Sequence, residues 1–286
     1  MTDAPTRAAA PSRLCRITFV LAAPLLLASS ACGGDGSGLA LARKSRTSAG
    51  AIEPELTGPV VIARSATPYK VASVATPGSV TGIVTLQSAI APGEPIIAGR
   101  DSLVCGKIVP DSSLQQKGTG LGNVVVWIDG IRAGKALPED KRLELESDRC
   151  LLTPRVQATV AGSAVNVIGH DDFRQHLRFL AAGDSAARAA ILLGKDEQVI
   201  PTELPAKSPG LVTVRDADHA WPRAYLAVFD HPYFVVTKAD GAFTIDGVPA
   251  GKYTLVAWHE RTGRTEQSIE VPANGSAKVA VSLRGK

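Results

Sequence analysis

The stretch Ala224 to Glu260, AYLAVFDHPYFVVTKADGAFTIDGVPAGKYTLVAWHE, constrains the fold more than any other part of the chain, because strand and turn signals follow one another through it without a gap. Tyr225 to Phe229 alternates as a strand, Asp230, His231 and Pro232 make a corner, and Tyr233 to Thr237 resumes the strand pattern. Asp240-Gly241 then places the residue most tolerant of positive φ between two β-rich runs, and Val248-Pro249-Ala250-Gly251 repeats the device before Tyr253 to Trp258. Phe243, Ile245, Tyr253, Leu255 and Ala257 alternate with polar or small neighbours, the pattern of an antiparallel sheet with one buried and one wet face. The expected fold class is all-β, built of antiparallel β-sandwiches with one short helix.

Roughly the first seventy residues read as targeting and tether rather than core. Arg13 and Arg16 precede the apolar run Ile17 to Ala28, too short to span a bilayer as a mature helix but suited to a secretory signal. Ser29-Ser30-Ala31-Cys32-Gly33-Gly34 resembles the lipobox of bacterial lipoproteins, with Ser29 where Leu is usual. That resemblance implies cleavage before Cys32 and acylation there; ordinary signal-peptidase cleavage after Ala31 is the competing reading. The glycines after Cys32 favour lipidation, because a flexible segment lets an anchored domain stand off the membrane. Residues 1–31 are then a signal peptide. Residues 32–77, rich in Gly, Ala, Ser, Thr and Pro without sustained period, read as a flexible tether.

Losing Arg7, Arg13, Arg16 and Asp3 with the signal lowers the net charge from +4 by two, to +2. The lysines and arginines that remain are scattered apart from Arg43, Lys44 and Arg46, which lie in the tether. Nucleic acid is not an expected partner, since no basic stripe with interleaved aromatics is present. The expected place is the periplasmic face of a bacterial envelope, with the membrane as a partner through the lipid anchor.

Cys15 leaves with the signal and Cys32 is the lipid site, so Cys105 and Cys150 remain. In an exported protein they are expected to pair as one disulfide, closing a loop of about 45 residues and stabilising by roughly 4 kcal/mol in the chain-entropy account. No Cys-x-x-Cys spacing supports a metal or redox pair instead.

Gly78 to Leu86 alternates as a first strand and Asn123 to Ile128 is a second, more buried one, with long loops between them held by the bridge. Leu143 and Leu145, Leu151 and Leu152, Ala164 to Ile168, and Leu211 to Val214 carry further strand patterns. Ser185 to Leu193 is the predicted helix, with Asp184 or Ser185 as N-cap and Gly194 as its stop. Lys195 to Pro209, with three prolines, reads as a loop.

Val80-Thr81-Gly82-Ile83-Val84, the run VVVWIDG, then TKADGAFTIDGVPAGKYTLVAWHE and the closing VAVSL together resemble the carboxypeptidase regulatory-like, transthyretin-like β-sandwich. In that family the first strands are followed quickly by the Asp-Gly-Phe and Pro-Gly-Tyr strands, whereas here a long segment intervenes. Within it, Arg149 to Trp221 is similar to the cupredoxin-like domains of bacterial periplasmic proteins, including those called methylamine-utilisation or plastocyanin-like. Leu152-Thr153-Pro154, Gly162-Ser163-Ala164-Val165, His170-Asp171-Asp172 with His176, and Asp216-Ala217-Asp218-His219-Ala220-Trp221-Pro222 follow that frame. His176 and His219 occupy its two histidine positions, while Asp216 stands in place of the thiolate and Pro222 in place of the axial Met. The resemblance implies a copper-domain frame without blue-copper chemistry, which depends on the copper–thiolate bond.

The expected organisation is therefore N-terminal strands and disulfide-held loops at 78–148, a cupredoxin-like segment at 149–222, and regulatory-like strands at 223–286. Tyr233 to Leu283 alone lacks the partners to cover Phe243, Ile245, Tyr253 and Leu255. Strands 78–86 and 123–128 are expected to supply them, with the cupredoxin-like segment inserted. Two domains in series, with those strands belonging to the segment instead, is the rival.

His176, His219 and Asp216 form a candidate remnant metal site, suited to Zn(II) or Cu(II). The competing reading is a site that has lost its metal and keeps histidines for hydrogen bonds at the pole of a sandwich; no cofactor is then expected. His231 is expected to hold a corner through a backbone hydrogen bond, and His259 with Glu260 to form a surface pair. Trp127, Tyr225, Tyr233, Tyr253 and Trp258 lie inside apolar strand patterns, so Trp221 is the one candidate platform for a stacked ligand, or else a shield for its neighbours. No Gly-x-Ser-x-Gly elbow, phosphate loop, His-Glu-x-x-His or dinucleotide fingerprint occurs, and Asp171-Asp172 reads as a turn, so an enzyme is not expected. The expected function is a non-enzymatic, envelope-anchored β-sandwich binding module. The fold resemblance implies carbohydrate, so its partner is a polysaccharide or an envelope protein. A metal-binding cupredoxin relative is the alternative.

Mass spectrometry of the mature protein from its native host tests the N-terminal reading. The chain is expected to begin at Cys32 and to carry lipid there; an unmodified Cys32 or a retained signal contradicts it.

Overall fold

Most strands of the chain are buried at alternate positions, but Val125–Asp129 and Arg223–Phe229 are buried at nearly every residue. Strands of that kind need a layer on each face. The computed structural model describes residue 62 and residues 67–285, apart from 92, 183, 185, 186, 188, 195–197 and 204–208. The expected signal peptide, Cys32 and most of the expected tether lie outside these described residues.

Four sheets stack to supply the layers. The first has Gly78–Leu86 at its centre, paired with Ala242–Val248, with Ser276–Leu283 and with the short Gly120–Leu121, which in turn pairs with Gln116–Lys117. The second is Phe234–Val236, Val125–Asp129, Gly251–His259 and Gly263–Val271. The third is Val156–Val160, Arg223–Phe229, Gly210–Asp216, Gln175–Ala181 and Ala189–Leu193, and the fourth Leu151–Thr153, Arg142–Asp148, Ala164–Gly169 and Gln198–Glu203.

Alternation along each central strand sends successive side chains into different cores. Val126 and Ile128 join Val80, Val84, Tyr233, Phe243, Ile245 and Leu255 between the first two sheets. Their neighbours Val125 and Trp127, with Val256 and Trp258, meet Tyr225, Ala227 and Phe229 between the second and third. Leu226 and Val228 point the other way, to Leu145, Val165 and Val167 of the fourth sheet. The aromatic contacts of the middle layer are close: Phe229 stacks on Phe234 at 4.7 Å and Tyr225 meets Trp258 edge-on at 5.3 Å. At the Asp240-Gly241 turn, Gly241 has φ +75° and a side chain there would strike the Val84 carbonyl, so only glycine fits.

The all-β expectation holds. Gly78–Leu86 pairs with Ala242–Val248 and Val125–Asp129 with Gly251–His259, while the strands that lie between them in sequence form the third and fourth sheets. Those strands run from Arg142 to Phe229, wider than the expected segment 149–222, because Leu145 and Leu226 both belong to the core of the second sandwich. Three further expectations are corrected. Part of the predicted helix, Ala189–Leu193, is a strand: Ile191 and Leu193 are buried and Leu192 is exposed, a period of two that pairing with Gln175–Ala181 enforces. The short helix is instead Ser102–Cys105, after a 3-10 turn at Gly99–Asp101. Gln198–Glu203, read as loop, is an edge strand on Ala164–Gly169, where Pro201 is tolerated. Finally, the tether ends before residue 77: Lys70–Val71 pairs with Ala133–Gly134, the Tyr69 hydroxyl donates to the Lys135 carbonyl at 2.6 Å, and Ile62 is buried in the middle layer.

One buried ion pair ties the second sheet to the third. Arg155 donates from Nε and NH2 to the two Glu260 oxygens at 2.5 and 2.6 Å and from NH1 to Ser112 Oγ at 2.9 Å. Both side chains are sequestered, at 12% and 4% exposed. Arg155→Met leaves the Glu260 carboxylate buried without its partner and is expected to cost about 3–5 kcal/mol in urea denaturation, with most of the loss recovered in Arg155→Met/Glu260→Met. An unchanged single variant would contradict this assignment.

Candidate functional site

The loop between Gly210–Asp216 and Arg223–Phe229 is organised by the carboxylate that ends the first of these strands. Asp216 Oδ1 accepts the backbone N–H of His176 at 3.1 Å and of Asp218 at 3.0 Å, the second closing a turn around the loop. Asp216 Oδ2 lies 2.7 Å from His219 Nδ1, and the other ring nitrogen, Nε2, lies 2.7 Å from Asp101 Oδ2. Phe173 meets the ring edge-on at 5.1 Å and Trp221 lies against it at 4.8 Å.

Asp101 reaches this pole because a covalent bond delivers it. The expected disulfide is present: Cys105 and Cys150 are joined, with Cα atoms 5.5 Å apart. Cys150 sits in a two-residue hairpin turn in which Arg149 and Cys150 have φ +48° and +65°, the left-handed pair that such a tight turn requires. Asp171 holds the turn, accepting from Cys150 N at 3.1 Å and from Ser147 Oγ at 2.9 Å. Across the bridge, Ile96–Ile97 pairs with Ile108–Val109, and Ala98 and Val109 pack inward on Cys150, Phe173 and Trp221. The outward side chains of the same segment are aliphatic: Ile97 is 74% exposed, Leu103 99%, Val104 40% and Ile108 59%.

Electrostatics divide the buried histidines into two kinds. Burial opposes a charge on His219, but hydrogen bonds to Asp216 and Asp101, with their negative charges, outweigh it and raise the pKa above the ordinary value. His231 and His259 are each pushed down to about 4, chiefly by burial. His231 Nδ1 accepts the Tyr233 N–H at 3.1 Å, the expected corner bond. His259 is not in a surface pair: it is fully buried, its Nδ1 accepts from Arg261 N at 3.2 Å, and Glu260 is engaged by Arg155.

The predicted metal set does not converge as a donor set. His219 and Asp216 are in contact, but both nitrogens of His219 face carboxylates. His176 reaches Asp216 only through its backbone N–H, its half-exposed ring lying beside Asp218 at 3.5 Å. The thiols of Cys105 and Cys150 are tied up in the bridge. Among the described residues no group of three His, Cys, Asp or Glu is placed to hold a metal ion, and these residues do not fit the copper or zinc centre that the cupredoxin frame implies. Trp221 is also corrected as a ligand platform: it is 8% exposed, buried against His219 and in the cluster of Phe173 and Cys150. Sequence reasoning missed Asp101 and Phe173, and only Asp101's place four residues before Cys105 pointed to the pole.

Residues 210–284 match the carboxypeptidase regulatory-like domain family. That match begins inside the third sheet, two strands before the polypeptide returns to the first sandwich. No curated protein matches the chain. Among solved structures, the copper-containing nitrite reductase (NirK) from Thermus scotoductus SA-01 is similar over 35% of this chain, at 16% identity and a TM-score of 0.25. The chain spans 24% of that reductase's length.

The histidines set opposite pH dependences. His231 and His259 stay neutral in the fold, so between about pH 6.5 and 4 the unfolded chain binds protons that the folded one does not, and stability falls, on the order of 3 kcal/mol for each. His219 contributes fully below about pH 6.5, its ordinary value, and that contribution is lost as pH rises through its raised folded pKa. Urea midpoints are expected to peak near neutrality and drop steeply toward acid; a profile flat on the acid side contradicts the two buried neutral rings.

Proposed function

We propose that this chain is a non-enzymatic binding module, anchored through Cys32 at the periplasmic face of the envelope, whose recognition end is the disulfide-clamped pole and whose partner is another envelope protein. The observation that carries this reading is the outward aliphatic face of the clamped segment, Ile97, Leu103, Val104 and Ile108. Ile97 and Ile108 are opposite one another in their strand pair, so they form one patch rather than scattered exposures. A segment already fixed by a covalent bond loses little freedom on docking. A polysaccharide would call for exposed rings, yet Trp221, Tyr225, Tyr233 and Trp258 are all buried.

Ile62 lines a small cavity with Trp127, Asp230 and His231, beyond the end of Arg223–Phe229, whereas His219 and Trp221 precede that strand's start. The buried Ile62 thus lies roughly 20 Å along the strand from the pole.

A photoreactive amino acid placed at Leu103 in the native host, compared with one at exposed Thr244 on the outer face of the first sheet, tests the proposal. A protein adduct of discrete mass is expected at Leu103 only, and is expected to disappear with Ile97→Asp/Ile108→Asp. Adducts equal at both positions, or to glycan alone, would overturn it.

A further inference from the structure

The two strands that close one side of the first sandwich are free along their outer edges. Among the described residues, Gly263–Val271 pairs only with Gly251–His259, and Ser276–Leu283 only with Gly78–Leu86. A row of unpaired backbone N–H and C=O groups is a template for another strand, and sheets blunt it with a proline, a bulge or a short edge. Other edges here follow that rule. Gln198–Glu203 carries Pro201, Ala242–Val248 shifts register between Asp246 and Val248, and Phe234–Val236 and Leu151–Thr153 have three residues each. Gly263–Val271 has none of these devices: it lacks proline and keeps unbroken register with its neighbour over nine residues.

We propose that the mature chain forms a twofold dimer through the outer edge of Gly263–Val271, the second sheets of two copies joining edge to edge about an axis at Gln267. A second copy is the occupant because the edge is complementary to itself. Opposed residues of antiparallel strands turn their backbone groups toward each other together, so two identical strands hydrogen-bond only when the axis passes through a residue. Arg264, Glu266, Ser268 and Glu270 form the exposed row of the strand, and Arg264 is held on it by Glu266 at 2.9 Å. With the axis at Gln267 the whole strand is used, Gly263 opposite Val271. Arg264 of each copy then stands opposite Glu270 of the other, and Glu266 opposite Ser268. An axis one residue later sets Glu266 against Glu270, and one residue earlier sets Glu266 against its own counterpart; like charges directly opposed are unfavourable. The charges on this edge therefore select one register of self-pairing.

The same contact covers a partly apolar opening. Between the two free edges lies a groove of about 470 Å³, lined by Gln267, Ile269, Ala277 and Val279 among others. Ala277 and Val279 are only partly buried against the core of the first sandwich, and a strand laid along Gly263–Val271 shelters them from water. Gln267, at the axis, has an amide with both a donor and an acceptor to offer its counterpart.

Sedimentation equilibrium of the full mature chain, with Cys32→Ser to remove the lipid, reads the dimer. The chain with no other change is expected to dimerise. Arg264→Glu and Glu270→Arg each oppose like charges at two places across the axis, and each is expected to raise the dissociation constant about tenfold or more. Arg264→Glu/Glu270→Arg in one chain, and an equimolar mixture of the two single variants, are expected to recover the dimer, since both restore opposite charges at every pair. Ile97→Asp/Ile108→Asp at the pole should leave it unchanged. A monomer at the highest concentration attained, a dimer that the single substitutions do not weaken, or one that the pole variant abolishes would overturn the proposal.

Discussion

The apolar seam between the second and third sheets is the contact on which the rest of the molecule depends. The first sandwich by itself would leave Val125, Trp127, Val256 and Trp258 facing water, and the inserted sandwich would leave Tyr225, Ala227 and Phe229 exposed. Each supplies the other's missing cover, so neither has a finished surface alone. The seam is apolar enough to absorb a polar cost: the indole N–H groups of Trp127 and Trp258 find no hydrogen-bond partner among the described residues. Arg155 and Glu260 add direction to the contact, since a bidentate pair fixes one register of the two sheets where hydrophobic packing alone would tolerate several.

The pole follows from this arrangement at one remove. Because the second sandwich is inserted between strands of the first, the stretch 87–122 runs from Gly78–Leu86 to Val125–Asp129 in one body while its Cys105 reaches a hairpin of the other. That crossing carries Asp101 onto a histidine 118 residues away. The pole thus ends in a histidine whose two ring nitrogens both face carboxylates.

What the sequence disclosed follows the range of the interactions. Strands with clear alternation, such as Gly78–Leu86 and Ala242–Val248, were legible because a period of two survives any environment that buries one face. NVVVWI read as more buried because it is apolar without interruption, which is the mark of its two-sided burial. Ala189–Leu193 misled because alanines, a cap and a terminal glycine imitate a helix, and only pairing with Gln175–Ala181 decides against it. Gln198–Glu203 was hidden by Pro201, which an edge strand accommodates and a central one would not. At the site, Asp216 and His219 were legible by their spacing of three on one loop. Asp101 and the burial of Trp221 arise from long-range packing, for which the sequence carries no local signal.

Scanning calorimetry of the mature chain with its disulfide intact tests the dependence of both sandwiches on the shared seam most directly. A single transition, with calorimetric and van't Hoff enthalpies equal, is the predicted result, because separating the sheets exposes the apolar faces of both. Two resolved transitions, one of them persisting when Phe229→Ala lowers the other, would contradict it.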